Sequence, residues 1–429
     1  MMRERTALVL GYGRSGRAAE YLLRAEGCAV TVLAEETAGL SELFQALETT
    51  LFDVCIVSPG FALSHPWMEA VRAAGVPFLS ELELGWSRHR GRTVAVTGSN
   101  GKSTAVKWIY DMLRLAGKKV AIGGNYGIPA CETVQKNPDL DWLVLEVSSF
   151  QLETVRDFQA EVAVLLNVLP NHLDRHGSMT EYQRIKERIF GKTQDSVCMV
   201  PFELVSKLET NRNWITFGVS PEATYFFEKG SVFQGKEKGV NLSGTLFDSP
   251  TLGGCTGAAG VAVADVCGVP RSAALEAARD FEPLPHRLER LGEIGGVTYI
   301  NDSKATNLAA MATALESCPA GVHLIAGGLP KETDFTFVEE ILAERAVNIY
   351  LIGQVSRAMY QAWNGVCQCV ECGTLEKAFG TAQNVAKPGE TVLLSPACAS
   401  FDQFKSFEER GAQFVVLFQA LARKNGNAL

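Results

Sequence analysis

Residues 93–104 read TVAVTGSNGKST, and residues 106–117 continue as VKWIYDMLRLAG. A short β-branched apolar run, a glycine-rich turn and a helix-period stretch form the strand–loop–helix unit of a parallel α/β sheet. In the turn Gly98-Ser99-Asn100-Gly101-Lys102-Ser103-Thr104, successive backbone N–H groups can wrap phosphate oxygens. Lys102 can reach β- and γ-phosphates, and Ser103 or Thr104 can ligate Mg²⁺. The strict phosphate-loop spacing would put its first glycine at Val96. The context of strand before and helix after still reads as an ATP-type site, with a fortuitous glycine turn as the alternative.

The same rhythm extends in both directions. Upstream lie TALVL (6–10), a glycine turn, a helix from about 14 to 26, AVTVL (29–33), DVCIVSPG (53–60) and VPFLS (76–80). Downstream lie KVAIGGN (119–125), DWLVLEVSS (141–149) and AEVAVLLNV (160–168). Between about 196 and 250 the strands are shorter and more alternating, which suits an antiparallel appendage. A helical stretch from about 256 to 281 follows, and then PLPHR (283–287), a proline-punctuated linker. The rhythm resumes with VTYINDS (297–303), VHLIAGG (322–328), NIYLIG (348–353) and TVLLSP (391–396). Alternating strands and helices predict three α/β domains with mostly parallel sheets, divided at 91/92 and 284/285.

Composition narrows the function classes. The chain has 429 residues, 47% of them apolar, and a formal net charge of −8. The acidic balance argues against nucleic acid as a partner. No apolar run approaches the ~18 residues that span a bilayer, and the N-terminal apolar stretch is too short for a signal peptide. A cytoplasmic location is expected. Eleven cysteines form no disulfide framework, and Cys367-x-Cys369-x-x-Cys372 lacks an obvious fourth metal ligand.

Other motifs carry chemistry. Gly11-Tyr12-Gly13-Arg14-Ser15-Gly16 follows a strand and opens a helix, so it suits a diphosphate; nicotinamide, another nucleotide diphosphate and a plain turn all remain open. Glu146 ends a buried strand, where an acid can hold a nucleotide's metal. His172 and Asp174 follow the next strand, as metal or substrate groups or as a solvated loop. Lys186 falls inside the apolar arc of Tyr182, Ile185, Ile189 and Phe190, while Glu187 falls outside it. A buried lysine either snorkels or stays neutral, and a neutral amine can take up CO₂ as a carbamate. In Asn301-Asp302-Ser303-Lys304-Ala305-Thr306-Asn307 a helix start suits anionic groups, with an Asp302 or Ser303 N-cap as the plain alternative.

Together TGSNGKST, Glu146, NHLDRH with the later Lys186, His286-Arg287 and NDSKATN resemble the Mur ligase family, in order and spacing, over nearly the whole chain. NDSKATN, LEVSSFQLE and LLSPACASFDQF are similar to the member that adds D-glutamate. The resemblance implies a Rossmann-like N-terminal domain (1–91) for the UDP substrate. It also implies a P-loop-type central ATPase domain (92–284) with a small antiparallel appendage, and a Rossmann-like C-terminal domain (285–429) for the amino acid. The implied reaction joins D-glutamate to the L-alanine carboxylate of UDP-N-acetylmuramoyl-L-alanine through an acyl phosphate and a tetrahedral intermediate.

The resemblance also implies roles. Lys102 would hold the transferring phosphate. Ser103 or Thr104 with Glu146 would hold one Mg²⁺, and His172 with carbamylated Lys186 a second. Gly98 to Thr104, Arg287, Asp302 and Lys304 would bind ATP. Gly13, Arg14, Ser15, Glu35, Gly60, Asn125, Ser148 and Gln151 would bind the UDP substrate, and Thr306, Lys331, Ser400 and Phe407 would bind D-glutamate. Two departures stand out: Glu35 is the nearest match to the family's aspartate after the second strand, and Gly253-Gly254-Cys255-Thr256-Gly257 stands where the family has an asparagine. The partners are small molecules, and a monomer is expected.

Overall fold

The computed structural model describes residues 5–210, 212–330 and 334–426. The chain forms two compact units, Met1–Asp280 and Phe281–Leu429.

The first unit holds two sheets. One is wholly parallel, in the spatial order Ala29–Leu33, Thr6–Leu10, Val54–Val57, Phe78–Ser80. The other has nine strands. Its parallel centre runs Trp214–Gly218, Val197–Pro201, Val162–Leu165, Arg92–Thr97, Trp142–Glu146, Val120–Gly124. Of these, Val162–Leu165, Trp142–Glu146 and residues 93–97 are buried on both faces, which explains their near-continuous apolar sequence.

The expected appendage is placed differently. Trp214–Gly218 joins the sheet in parallel because a short 3₁₀ crossover, Phe202–Lys207, returns the chain in the same direction. Tyr225–Glu228 pairs with that strand in parallel too, and only its pairing with Ser231–Gln234, and that strand's with Glu237–Asn241, are antiparallel; they extend the same sheet's edge.

The boundary expected at 91/92 lies between the two sheets. One core nevertheless joins them: Val9, Leu22 and Ile56 pack in the same cluster as Leu84, Ala130, Leu143 and Leu165. In the second unit a six-stranded sheet runs Glu289–Ile294, Val297–Asn301, Thr391–Leu394, Val322–Gly327, Ala346–Ile352, Gln368–Gly373. All its pairings are parallel except the first, a hairpin turned at Gly295 and Gly296. The three cysteines at 367–372 lie in and beside the outermost strand, and every cysteine among the described residues is a free thiol. No helix of the described residues is long and apolar enough to cross a membrane.

Candidate active site

The strand Arg92–Thr97 ends at the glycine loop, and the helix Lys102–Leu115 begins at Lys102. Gly101 has φ +80°, and a Cβ there would stand 3.3 Å from Thr256 Oγ1, so the left-handed turn and the buried Thr256 both favour glycine. Thr256 lies in a wide, π-helical turn, Gly253–Gly257, packed beside the loop.

The loop is held by a residue that motif reading passed over. Asn167 Oδ1 accepts from the backbone N–H of Ser99 (2.9 Å) and Asn100 (3.0 Å), and its Nδ2 donates to Asn100 O (3.2 Å). Ser99 Oγ donates to Leu169 O (2.9 Å), accepts from Leu169 N (2.8 Å) and meets Tyr182 OH at 3.2 Å. The sequence signal was an amide side chain two residues past a buried strand, Val162–Leu165, that neighbours the loop's own strand.

Three ionisable groups converge here. Lys102 Nζ donates to Gly98 O (2.8 Å) and Ser99 O (2.9 Å). Glu146, buried at its strand's end, accepts from Ser103 Oγ and from Asn125 Nδ2, the latter at 2.6 Å. Lys186 is 1% exposed, and its Nζ donates to Gly98 O at 2.9 Å and lies 4.6 Å from the Tyr182 ring centroid. Burial, reinforced by the positive charge of Lys102 and opposed by Glu146, pushes the Lys186 amine well below the ordinary lysine range. Snorkelling is therefore overturned: the amine ends inside the protein.

The helix carrying it, Met179–Glu187, buries Tyr182, Ile185 and Lys186 as its apolar arc predicts. Glu187 is buried too, contrary to expectation. Gln183 Nε2 and the backbone N–H of Glu209 both donate to its carboxylate.

His172 is the N-cap of the short helix Leu173–His176, in the left-handed region at φ 55°, and its ring meets Phe150 edge-on at 4.8 Å. Ser148 and Gln151 form a capping box: Gln151 N donates to Ser148 Oγ (3.2 Å) and Ser148 N donates to Gln151 Oε1 (3.0 Å). Their side chains serve the start of the helix Ser149–Leu152.

Glu146, Ser103 and Thr104 offer hard oxygen donors. Among the described residues no three His, Cys, Asp or Glu side chains converge. Mg²⁺ fits such a place, because it takes one or two carboxylates and completes its shell with phosphate oxygens and water. Thr97 Oγ1, at the base of the loop, is buried without a hydrogen-bond partner.

At the first sheet, Gly16 is dictated by contact, since a Cβ would lie 1.9 Å from Gly11 O. Gly13 N-caps the helix Arg14–Ala25, which begins with Arg14 and Ser15. Gly13 also lines a cavity of about 670 Å³ walled by Tyr12, Arg17, Ala34, Glu36 and Thr37. Glu35 is half exposed and pairs with His65 Nε2 at 3.0 Å. Gly60 follows the strand Val54–Val57.

In the second unit, neither Asp302 nor Ser303 is an N-cap. Asn307 holds that place, accepting from Ala310 N (2.8 Å), and the helix begins only at Leu308. Asp302 is buried, accepting from Leu288 N (3.1 Å) and Ser395 Oγ (2.8 Å), and burial pushes its carboxyl up to about 7. Lys304 Nζ sits 3.7 Å from the Phe407 ring centroid, which joins two of the expected residues. Arg410, fully buried, donates to Ser303 O (2.9 Å), Ser303 Oγ (3.0 Å) and Cys398 O (3.0 Å), tying NDSKATN to the loop that bears Ser400. Arg287 N donates to Leu284 O (3.0 Å) and Thr306 is half-buried. Lys331 and the side chain of Asp174 lie outside the described residues.

Residues 96–252 match the Mur ligase middle domain, and residues 286–398 match the Mur ligase glutamate ligase domain. Among similar proteins is the UDP-N-acetylmuramoylalanine–D-glutamate ligase of Acidobacterium capsulatum, 36% identical over 441 residues, covering 96% of each chain. The ligase of the same name from Koribacter versatilis is 36% identical over 450 residues and covers 99% of each. Among solved structures, the MurF ligase from Thermotoga maritima in complex with ADP gives a TM-score of 0.62 at 17% identity. That alignment covers 98% of this chain and 96% of the other, and at such identity it bears on the fold, a mixed α/β architecture with parallel sheets.

Proposed function

This chain belongs to the Mur ligase family, and we propose that it joins D-glutamate to the L-alanine carboxylate of UDP-N-acetylmuramoyl-L-alanine with ATP, in peptidoglycan precursor synthesis. It is an ATP-dependent acid–amino-acid ligase. The names of relatives matched over nearly their full length support the amino acid. The observation that carries the site is the meeting of Lys102, Glu146 and buried Lys186 on one phosphate loop.

The chemistry follows from the electrophile. A carboxylate resists attack by an amine, so the alanyl carboxylate first takes the γ-phosphoryl group of ATP, giving ADP and an acyl phosphate. The amine of D-glutamate attacks that carbonyl, and phosphate leaves the tetrahedral intermediate. The protein's task is positioning and charge neutralisation. Lys102 would release its two loop carbonyls and turn to the transferring phosphoryl oxygens. Loop N–H groups from Gly98 to Thr104 would face the phosphates, and Arg287, Asp302 and Lys304 would add contacts to ATP.

Ser103, Thr104 and Glu146 would hold one Mg²⁺, and His172 and Lys186 a second. When bound, these ions neutralise charge on the phosphoryl and carboxylate oxygens. A neutral Lys186 amine adding CO₂ gives a carbamate and releases one proton, turning a poor cation ligand into an anionic oxygen donor; its lowered basicity supports this role. Gly13, Arg14, Ser15, Glu35 and Gly60 would take the UDP end, and Asn125, already on Glu146, the end near the reacting carboxylate. Thr306, Lys331, Ser400 and Phe407 would take D-glutamate.

We further read the chain as three domains, 1–91, 92–284 and 285–429, working as a cytoplasmic monomer. Closure on the linker near 283–287 would shield the acyl phosphate from water. The reading is tested by following ADP release with each substrate omitted in turn. Multiple-turnover ADP release should occur only when ATP, the muramoyl-alanine substrate and the amino acid are all present. ADP formation indifferent to both acceptors would refute it.

A further inference from the structure

The guanidinium of Arg175 uses all five of its N–H groups. Nε donates to Glu153 Oε1 (2.9 Å), and Nη2 donates to Glu153 Oε2 (2.7 Å) and Phe61 O (2.9 Å). Nη1 donates to Pro59 O (2.9 Å) and Gly60 O (3.2 Å). The pair is nearly dry, with the Arg175 side chain 13% exposed and that of Glu153 5%. The guanidinium carbon also lies 4.1 Å from the Phe150 ring centroid, and that ring packs edge-on to His172.

Three consecutive carbonyls, Pro59 to Phe61, thus converge on one cation more than a hundred residues away. They belong to the turn after a first-sheet strand, while Arg175 belongs to the helix that His172 caps. One planar fork, oriented by its carboxylate, takes all three carbonyls and so constrains the loop's path. A lysine offers only three donors from a point charge and cannot match that pattern.

We propose that Arg175 is a positioning residue for the UDP-linked substrate. It sets the separation between the Gly60 turn, which flanks the UDP end, and the His172 turn, where the alanyl carboxylate reacts. The inference rests on the function proposed above. It predicts that loosening this clasp misplaces the reacting carboxylate only when the substrate is also held by its UDP end.

The test compares Arg175→Lys with the unaltered protein on two acceptors, UDP-N-acetylmuramoyl-L-alanine and N-acetylmuramoyl-L-alanine lacking UDP, with ATP and D-glutamate. Arg175→Lys should lower kcat/KM for the full acceptor about tenfold or more, with a fall in kcat, since ångström-scale misplacement is costly. The KM for ATP, and kcat/KM on the truncated acceptor, should stay within about twofold. Glu153→Gln keeps one acceptor oxygen and should shift kcat/KM for the full acceptor in the same direction by less, and it serves if Arg175→Lys does not fold. Equal losses on both acceptors, or an unchanged kcat/KM for the full one, would overturn the inference. No turnover by the unaltered protein would count against the proposed function instead.

Discussion

Lys186 Nζ and the carbonyl oxygen of Gly98 are 2.9 Å apart, although 88 residues separate them in the chain. A buried amine therefore ends on the loop that is to hold ATP. If it becomes a carbamate, Lys186→Ala should lower kcat at least about a hundredfold, the scale of losing a group that stabilises transferring charge. ATP should still bind, because Lys102 and the loop are intact. Steady-state kinetics with and without bicarbonate check the chemistry: the unaltered protein should lose turnover as bicarbonate is stripped and regain it on its return.

Glu146 is gripped by Ser103 and Asn125 before any cation arrives. Glu146→Gln keeps the shape and removes the charge. The Mg²⁺ concentration giving half-maximal turnover should rise about tenfold or more, consistent with losing one anionic ligand. A Mg²⁺ titration reads this directly, and an unchanged midpoint would remove Glu146 from the metal site.

Ser148 and Gln151 bond to each other across a helix start. Gln151→Ala should cost stability, about 0.5–2 kcal/mol for half a capping box, and lower the melting temperature. The KM for the UDP-linked substrate should not move. A large KM change with an unchanged melting temperature would assign Gln151 to the substrate instead.

The phosphate loop, Glu146 and Lys186 were legible because strand ends and an apolar helix arc leave periodic marks in a chain. Asn167 was not, because its partners lie 67 and 68 residues away and an asparagine after a strand has many uses. The change from strand to helix across 301–307 was legible, but which residue caps the helix was not, because Asp302 and Ser303 are good caps locally. Tertiary partners, Ser395 and Arg410, claim them first. The appendage strands were recognised by their alternation, but their direction depends on a crossover whose 3₁₀ turns carry no period.

Asp302 carries a pH dependence. Its folded pKa of about 7 stands above its ordinary value of 3.8, so the folded state binds the extra proton between those limits. The stability this gives is full below about pH 4 and is lost as pH rises through about 7. Asp302→Asn, which keeps an acceptor and a donor for Leu288 N and Ser395 Oγ, should flatten that loss. Melting curves from pH 4 to 8 should show the variant gaining on the unaltered protein as pH rises. A variant that loses ground to the unaltered protein as pH rises would contradict the sign.

This ligase adds D-glutamate. The most direct measurement is ADP release by the purified protein with Mg²⁺-ATP and UDP-N-acetylmuramoyl-L-alanine, across D-glutamate, L-glutamate, meso-diaminopimelate and L-lysine. Turnover confined to D-glutamate is the predicted result. Turnover with another of the four in place of D-glutamate would contradict it.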